Sequence, residues 1–185
     1  MTDFSDNALM QQVKAGELDK LGLLFERYKK PVFGFYYNMF RDMDECEDLV
    51  QVCFMRILKY RNSYEANGEF KLWLFRIARN VGNDHFRRRK NVIEDSLEHS
   101  LTKISDLAPS SEEDITREEE LIILRQAMNR LDHEKREILT LSKIEGIRYK
   151  EIGEIINCSE NTVKTKVFRA LKALRSEYDA IQSKV

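Results

Sequence analysis

The chain has 185 residues, of which 34% are charged and 42% hydrophobic, with 31 Lys and Arg against 32 Asp and Glu and a net charge of −1. Few Gly (7) and Pro (2), a Leu/Glu/Lys/Arg/Ile-rich composition and the absence of alternating apolar runs exclude an all-β fold and predict an all-α one. No run of about 18 apolar residues and no leader is present, so membrane insertion and secretion are not expected, and so balanced a charge excludes tight duplex binding by phosphate attraction alone.

The balance hides a pattern. Residues 1–90 hold 16 basic and 13 acidic side chains, residues 91–120 hold 2 and 10, and residues 121–185 hold 13 and 9. This predicts two small helical domains, 1–90 and 121–185, joined by a flexible acidic linker, 91–120. Cys46, Cys53 and Cys158 are odd in number and lack CxxC spacing, which fits reduced thiols in a cytoplasmic protein.

Ser5 is placed to cap a short helix, Asp6 to Lys14, that ends near Gly16 and has Leu9, Met10 and Val13 on its apolar side. From Glu17 to about Phe40, Leu21, Leu24, Phe25, Tyr28, Val32, Phe35, Tyr36 and Met39 recur at helical spacing, and Pro31 should kink or split the helix. A third helix, Glu45 to Tyr60, follows the acidic turn Asp42-Met43-Asp44. It puts Leu49, Val52, Cys53, Arg56 and Ile57 on one side and Glu47, Asp48, Gln51 and Met55 on another, which is either a protein-docking ridge or a solvated acidic face. No histidine is spaced to join these acids in metal binding or acid–base work.

Arg61 to Gly68 reads as a loop in which Tyr64 and Asn67 are able to stack on, or hydrogen-bond to, one flipped base. Glu69 to Lys90 is the stretch the rest serves. Phe70, Leu74, Ile77, Ala78 and Val81 share a core face, and Arg76, Arg79, Asn80, Asn83 and Arg87 form the opposite stripe, bordered by Trp73 on one flank and by Phe75 and Phe86 on the other. Guanidinium groups neutralise phosphate, Asn amides read base edges, and aromatic rings stack on unpaired bases at ~1–3 kcal/mol each. A packed helix with a solvated basic side fits the same spacing.

Pro109-Ser110-Ser111 marks a break in the acidic connector, where Leu97, Leu101, Ile104 and Leu107 are candidate partner contacts. Beyond it, four helices are expected. The first, Thr116 to Leu131, buries Leu121, Leu124, Ala127, Met128 and Leu131; the second runs from His133 to about Glu145; the third from Arg148 to Ile156; the fourth from Glu160 to about Tyr178. Gly153 permits close approach, Asn157 takes a left-handed turn, and Ser159 caps the fourth helix. That helix buries Val163, Val167, Ala170, Leu171 and Leu174 and turns Asn161, Lys164, Thr165, Phe168, Arg169 and Lys172 outward, a helix-turn-helix with a recognition helix fit for the major groove.

Taken together, EDLVQVCFMRI, WLFRIARNVGNDHFRRR and YKEIGEIINCSENTVKTKVFRALKAL, in this order and spacing, resemble the extracytoplasmic-function (ECF) RNA polymerase sigma factors of the sigma-70 family. The resemblance implies a non-enzymatic initiation factor that binds core RNA polymerase through the clamp helices of the largest subunit and the flap of the second-largest, recognises promoter DNA with two domains and helps melt it. It assigns Asp48, Gln51, Phe54 and Arg56 to the clamp-helix contact. It gives the Tyr64–Gly68 loop the capture of a promoter base, with Asn80 and the neighbouring arginines holding the single strand, and sets Ser159, Asn161, Thr162, Lys164, Thr165, Lys166 and Arg169 against the minus-thirty-five element. An anti-sigma factor is an expected type of partner. Val52, Leu171 and Ala173 depart from the family's usual charged residues. The rival reading is a stand-alone helix-turn-helix regulator with an N-terminal dimerisation or sensing domain and a palindromic operator. An enzyme is not expected, since a phosphate-cradling Gly loop, acids clustered with histidine and a nucleophile elbow are all missing; neither a cofactor nor a metal is called for.

Overall fold

The computed structural model describes residues 4–65, 68–95 and 112–183, and the chain folds as two compact units. Asn67 and the connector residues Leu97, Leu101, Ile104 and Leu107 lie outside the described residues.

The first unit is built from α1 (Asp6–Ala15), α2 (Lys20–Phe40), α3 (Met43–Lys59), a 3-10 turn (Arg61–Ser63) and α4 (Phe70–Asp95). The Ser5 side chain caps α1 by accepting from the Ala8 N–H, and Gly16 ends it at φ 111°, a left-handed conformation that a side chain would strain. Leu9, Met10 and Val13 are fully buried against α2 and α4. Pro31 does not split α2, which runs unbroken through it. A proline inside a helix removes one hydrogen bond at ~3 kcal/mol or more, but Leu24 before it and Val32, Phe35, Tyr36 and Met39 after it are all buried, so packing holds both halves.

α3 starts two residues earlier than expected, because Asp42 caps it by accepting from the Glu45 N–H at 2.9 Å. Val52 was expected on its apolar side but is exposed. In α4 the expected inner face is the core: Phe70, Leu74, Ile77, Ala78 and Val81 are all buried. Tyr36 of α2 fixes this helix by donating its hydroxyl to the Ala78 carbonyl at 3.0 Å within the core.

The second unit holds α5 (Glu112–Arg130), α6 (His133–Leu139) with a π turn (Thr140–Ile144), α7 (Tyr149–Ile156) up to Gly153, and α8 (Glu160–Gln182). Within the stretch expected as connector, α4 continues to Asp95 and α5 begins at Glu112. Of the expected buried stripe only Ala127 and Met128 on α5 and Leu131 just past its end are inside, whereas Leu121 and Leu124 are exposed. Periodicity identifies the stripe, but burial follows only where another helix lies over it. α8 runs a turn further than expected, with Ile181 buried near its end, while Leu171 faces solvent.

The α7–α8 turn is tightly made. A Cβ on Gly153 would stand 2.6 Å from the Cys158 carbonyl oxygen, so nothing larger than glycine fits. The Cys158 N–H donates to the Gly153 carbonyl at 2.9 Å, Asn157 takes φ 55°, and Ser159 caps α8 by accepting from the Thr162 N–H at 3.2 Å.

Candidate nucleic-acid interface

Because the core face of α4 is held on three helices, the residues half a turn away must face out. Arg76, Asn80 and Arg87 are exposed, and Arg79 and Asn83 are half-buried. Asn80, Asn83, Asp84, Phe86 and Arg87, together with Arg56 from α3, line an open depression of about 580 Å³. Asp84 organises it. Its carboxylate accepts from Arg56 Nη2 at 2.8 Å and pairs on its other oxygen with Arg87. The Arg56 hydrogen bond is the chief reason that the Asp84 carboxyl is held below the usual carboxylate range, with Arg87 adding to it. The result is a polar hollow with two amides, two guanidinium groups and one aromatic edge.

Several of the expected contact residues lie deeper or pair differently than spacing indicates. Arg56, expected among the polymerase contacts, turns instead towards the α4 face. Phe75, expected to border the basic stripe, is fully buried edge-on to Phe35 at 5.8 Å. Phe54, expected on the polymerase surface, is 6% exposed and packs edge-on against Phe25 at 4.9 Å. Tyr64 is 1% exposed, its ring edge-on to Trp73 at 5.3 Å, so it is packed inside the unit and not on its surface. Trp73 itself is half-buried against Tyr64 and Phe70.

On α3 the ridge stands as spacing indicates. Glu47, Asp48, Gln51 and Met55 are exposed, Met55 by 70%. Beside it, Phe25, Lys29, Lys30, Phe33, Glu47, Val50 and Gln51 line a groove of about 390 Å³ between α2 and α3. This surface offers acids, an amide and apolar contact area together, the mixture that a protein partner buries.

In the second unit, Asn161, Thr162, Lys164, Thr165 and Arg169 are exposed on α8, with Phe168 70% exposed among them. Lys164 pairs with Glu160 at 2.8 Å along the helix. Lys166 differs: it is half-buried and pairs with Glu134 of α6, so it braces the unit. The Ser159 hydroxyl is likewise engaged by Thr162 as the cap. Sequence reasoning missed Asp84, an acid inside a basic stripe, and the α1 residues that hold the 64–70 loop, Asn7 and Lys14. The acid out of pattern was a signal; nothing in the α1 sequence pointed to the loop.

Two helical units, one ending in a helix-turn-helix and the other presenting a basic, amide-rich helix, define a DNA-handling protein. Residues 24–92 match the family Sigma-70 region 2, and residues 121–174 match Sigma-70, region 4. Over 175 residues the chain is 30% identical to the ECF RNA polymerase sigma factor SigW of Bacillus subtilis, covering 91% of this chain and 94% of that protein. It is 33% identical over 158 residues to SigM of the same organism, covering 84% and 93%. The fold is similar to that of CnrH, solved in complex with the cytosolic domain of CnrY, with a TM-score of 0.71 at 21% identity over 95% of this chain and 97% of that one. It is also similar to that of the Bartonella quintana sigma factor RpoE, solved with the anti-sigma factor NepR, with a TM-score of 0.69 at 24% identity over 85% and 96%. The chain belongs to the ECF sigma factors of the sigma-70 family. It is thus an alternative sigma factor for transcription initiation, acting with core RNA polymerase on promoter DNA, and the stand-alone regulator is not favoured. Among the described residues no helix is long and apolar enough to cross a membrane.

Proposed function

We propose a division of labour within that role. The α3 ridge of Glu47, Asp48, Gln51 and Met55 docks on the polymerase clamp helices; the α4 face of Arg76, Arg79, Asn80, Asn83 and Arg87, with the 64–68 loop beside it, holds the melted minus-ten strand; and α8 reads the minus-thirty-five duplex through Asn161, Thr162, Lys164, Thr165 and Arg169. The single observation that carries this reading is the α4 hollow, where amides and guanidinium groups face solvent from a helix whose other side is locked in the core. Amides there would read base edges while arginines hold phosphate. Melting by capture needs no catalytic group and no cofactor, since unstacking one base is offset by stacking and by the polymerase contacts. The factor works in the cytoplasm, beside the polymerase. Regulation by an anti-sigma partner belongs to the same reading, because a sigma factor similar in fold is solved with one.

The test is a pull-down with core polymerase followed by run-off transcription. Asp48→Ala should weaken polymerase capture about tenfold, a loss of ~1.4 kcal/mol. Asn80→Ala should keep capture and lower open-complex formation. Equal capture by Asp48→Ala, or full promoter opening by Asn80→Ala, would refute the respective assignment.

A further inference from the structure

The chain leaves Tyr64 to make the loop and returns at Gly68 and Phe70, and both ends meet one side chain of α1. Asn7 Oδ1 accepts from the Tyr64 hydroxyl at 2.9 Å and from the Phe70 backbone N–H at 2.8 Å, while Asn7 Nδ2 donates to the Gly68 carbonyl at 3.0 Å. The neighbours dictate the orientation of this amide: a backbone N–H must face its oxygen, and a carbonyl must face its NH2. Lys14, two turns on, donates from Nζ to the Tyr64 carbonyl at 2.7 Å.

α1 also has anchors of its own. Leu9, Met10 and Val13 anchor the helix by burial, and Ser5 and Gly16 close its ends. Asp6, next to Asn7, ties the same turn to α2 by accepting from Arg27 at 2.6 Å and from the Tyr28 hydroxyl at 2.5 Å. Asn7 therefore projects from a fixed support to both ends of the loop.

We propose that Asn7, backed by Lys14, is a positioning residue for promoter-base recognition: one carboxamide on α1 sets how far apart the two ends of the loop stand, and so how one unpaired base is held between them. The inference rests on the reading that this loop takes the base. Loop ends that are already fixed need no ordering when the base arrives, so selectivity is gained without a direct contact from α1.

Asn7→Asp is the informative variant. It keeps an oxygen for Tyr64 and Phe70 but sets a second oxygen against the Gly68 carbonyl, so one end of the loop is released. Holoenzyme made from the full chain and core polymerase is mixed with fork-junction DNA whose single-stranded segment is randomised, and the bound strands are sequenced. Asn7→Asp should lose roughly tenfold of the enrichment at a single position, as expected for one hydrogen bond exchanged for repulsion. Enrichment elsewhere and polymerase capture should match wild type, and the sole tryptophan, Trp73, should become easier to quench with acrylamide. A profile equal to wild type, or a loss spread evenly over all positions, overturns the proposal. A wild-type holoenzyme that enriches no base removes the loop reading beneath it, a result distinct from an intact wild-type profile beside an insensitive variant. Where Asn7→Asp does not fold, Lys14→Met carries the same test with an expected loss of about threefold at that position.

Discussion

Helices α4 and α8 each set a polar face opposite a core face, yet the two faces differ in shape and in how their charge is held. On α8 the outward side chains stand clear of the unit, with Phe168 70% exposed between Lys164, Thr165 and Arg169. A projecting rod of this kind suits a groove that the duplex already offers. On α4, Asn80, Asn83, Phe86 and Arg87 line a hollow, Asp84 matches part of the arginine charge, and nearer the start of the helix Trp73 packs against Tyr64 and Phe70. A hollow with immobilised donors suits a strand that must first be pulled out of its stack. Both helices carry net positive charge; shape and restraint separate them.

The largest effect that would break this comparison lies in the core under α4. Phe75→Ala should destabilise the first unit by ~3–5 kcal/mol, as expected for a buried phenylalanine, and leave the melting of the second unit unchanged by calorimetry. A small effect would return Phe75 to the DNA-facing border. Next comes Gly153→Ala, which forces a Cβ against the Cys158 carbonyl and should cost the second unit ~1–3 kcal/mol through overpacking. Duplex binding should fall while polymerase capture through α3 is retained.

Binding itself sharpens the contrast. Arg169→Ala should reduce the salt dependence of duplex binding by a slope of about 0.9, one phosphate contact. Asn80→Ala should weaken single-strand binding by about 1 kcal/mol with no change in slope, as an amide carries no charge. Titration of wild type against salt with each variant decides between a reading and a merely electrostatic α4. The smallest effect concerns Asp84. Its folded carboxyl titrates below the ordinary value, so its contribution to stability is present above pH ~3.9 and fades as pH falls through the lower folded value. Urea midpoints measured down this range should fall less steeply for Asp84→Asn than for wild type.

Much of the fold is legible from residue spacing. Ser5 and Ser159 as caps, the inner face of α4, the Gly153–Asn157 turn and the outward face of α8 all follow from local rules, because each depends on residues within a turn or two. What spacing could not give was long-range. Whether Phe54, Phe75 and Tyr64 lie inside depends on rings from distant helices, namely Phe25, Phe35 and Trp73. The reach of Arg56 to Asp84 and of Asn7 to the far loop spans 28 to 63 residues, and no periodicity encodes such pairs. Pro31 shows the same limit from the other side: a local helix breaker is overruled by burial on either side of it.

The two faces of α4 also constrain how this protein can change. Each residue added to or removed from a helix rotates everything beyond it by about 100°. A single insertion between Leu74 and Val81 would carry Arg76 or Asn80 into the core and turn Val81 out of it, so the unit would fail before any new preference could be tried. Divergence in what this helix recognises must therefore proceed by exchange of side chains in place, with Arg76, Asn80, Asn83 and Arg87 the positions open to it and the length of the helix closed.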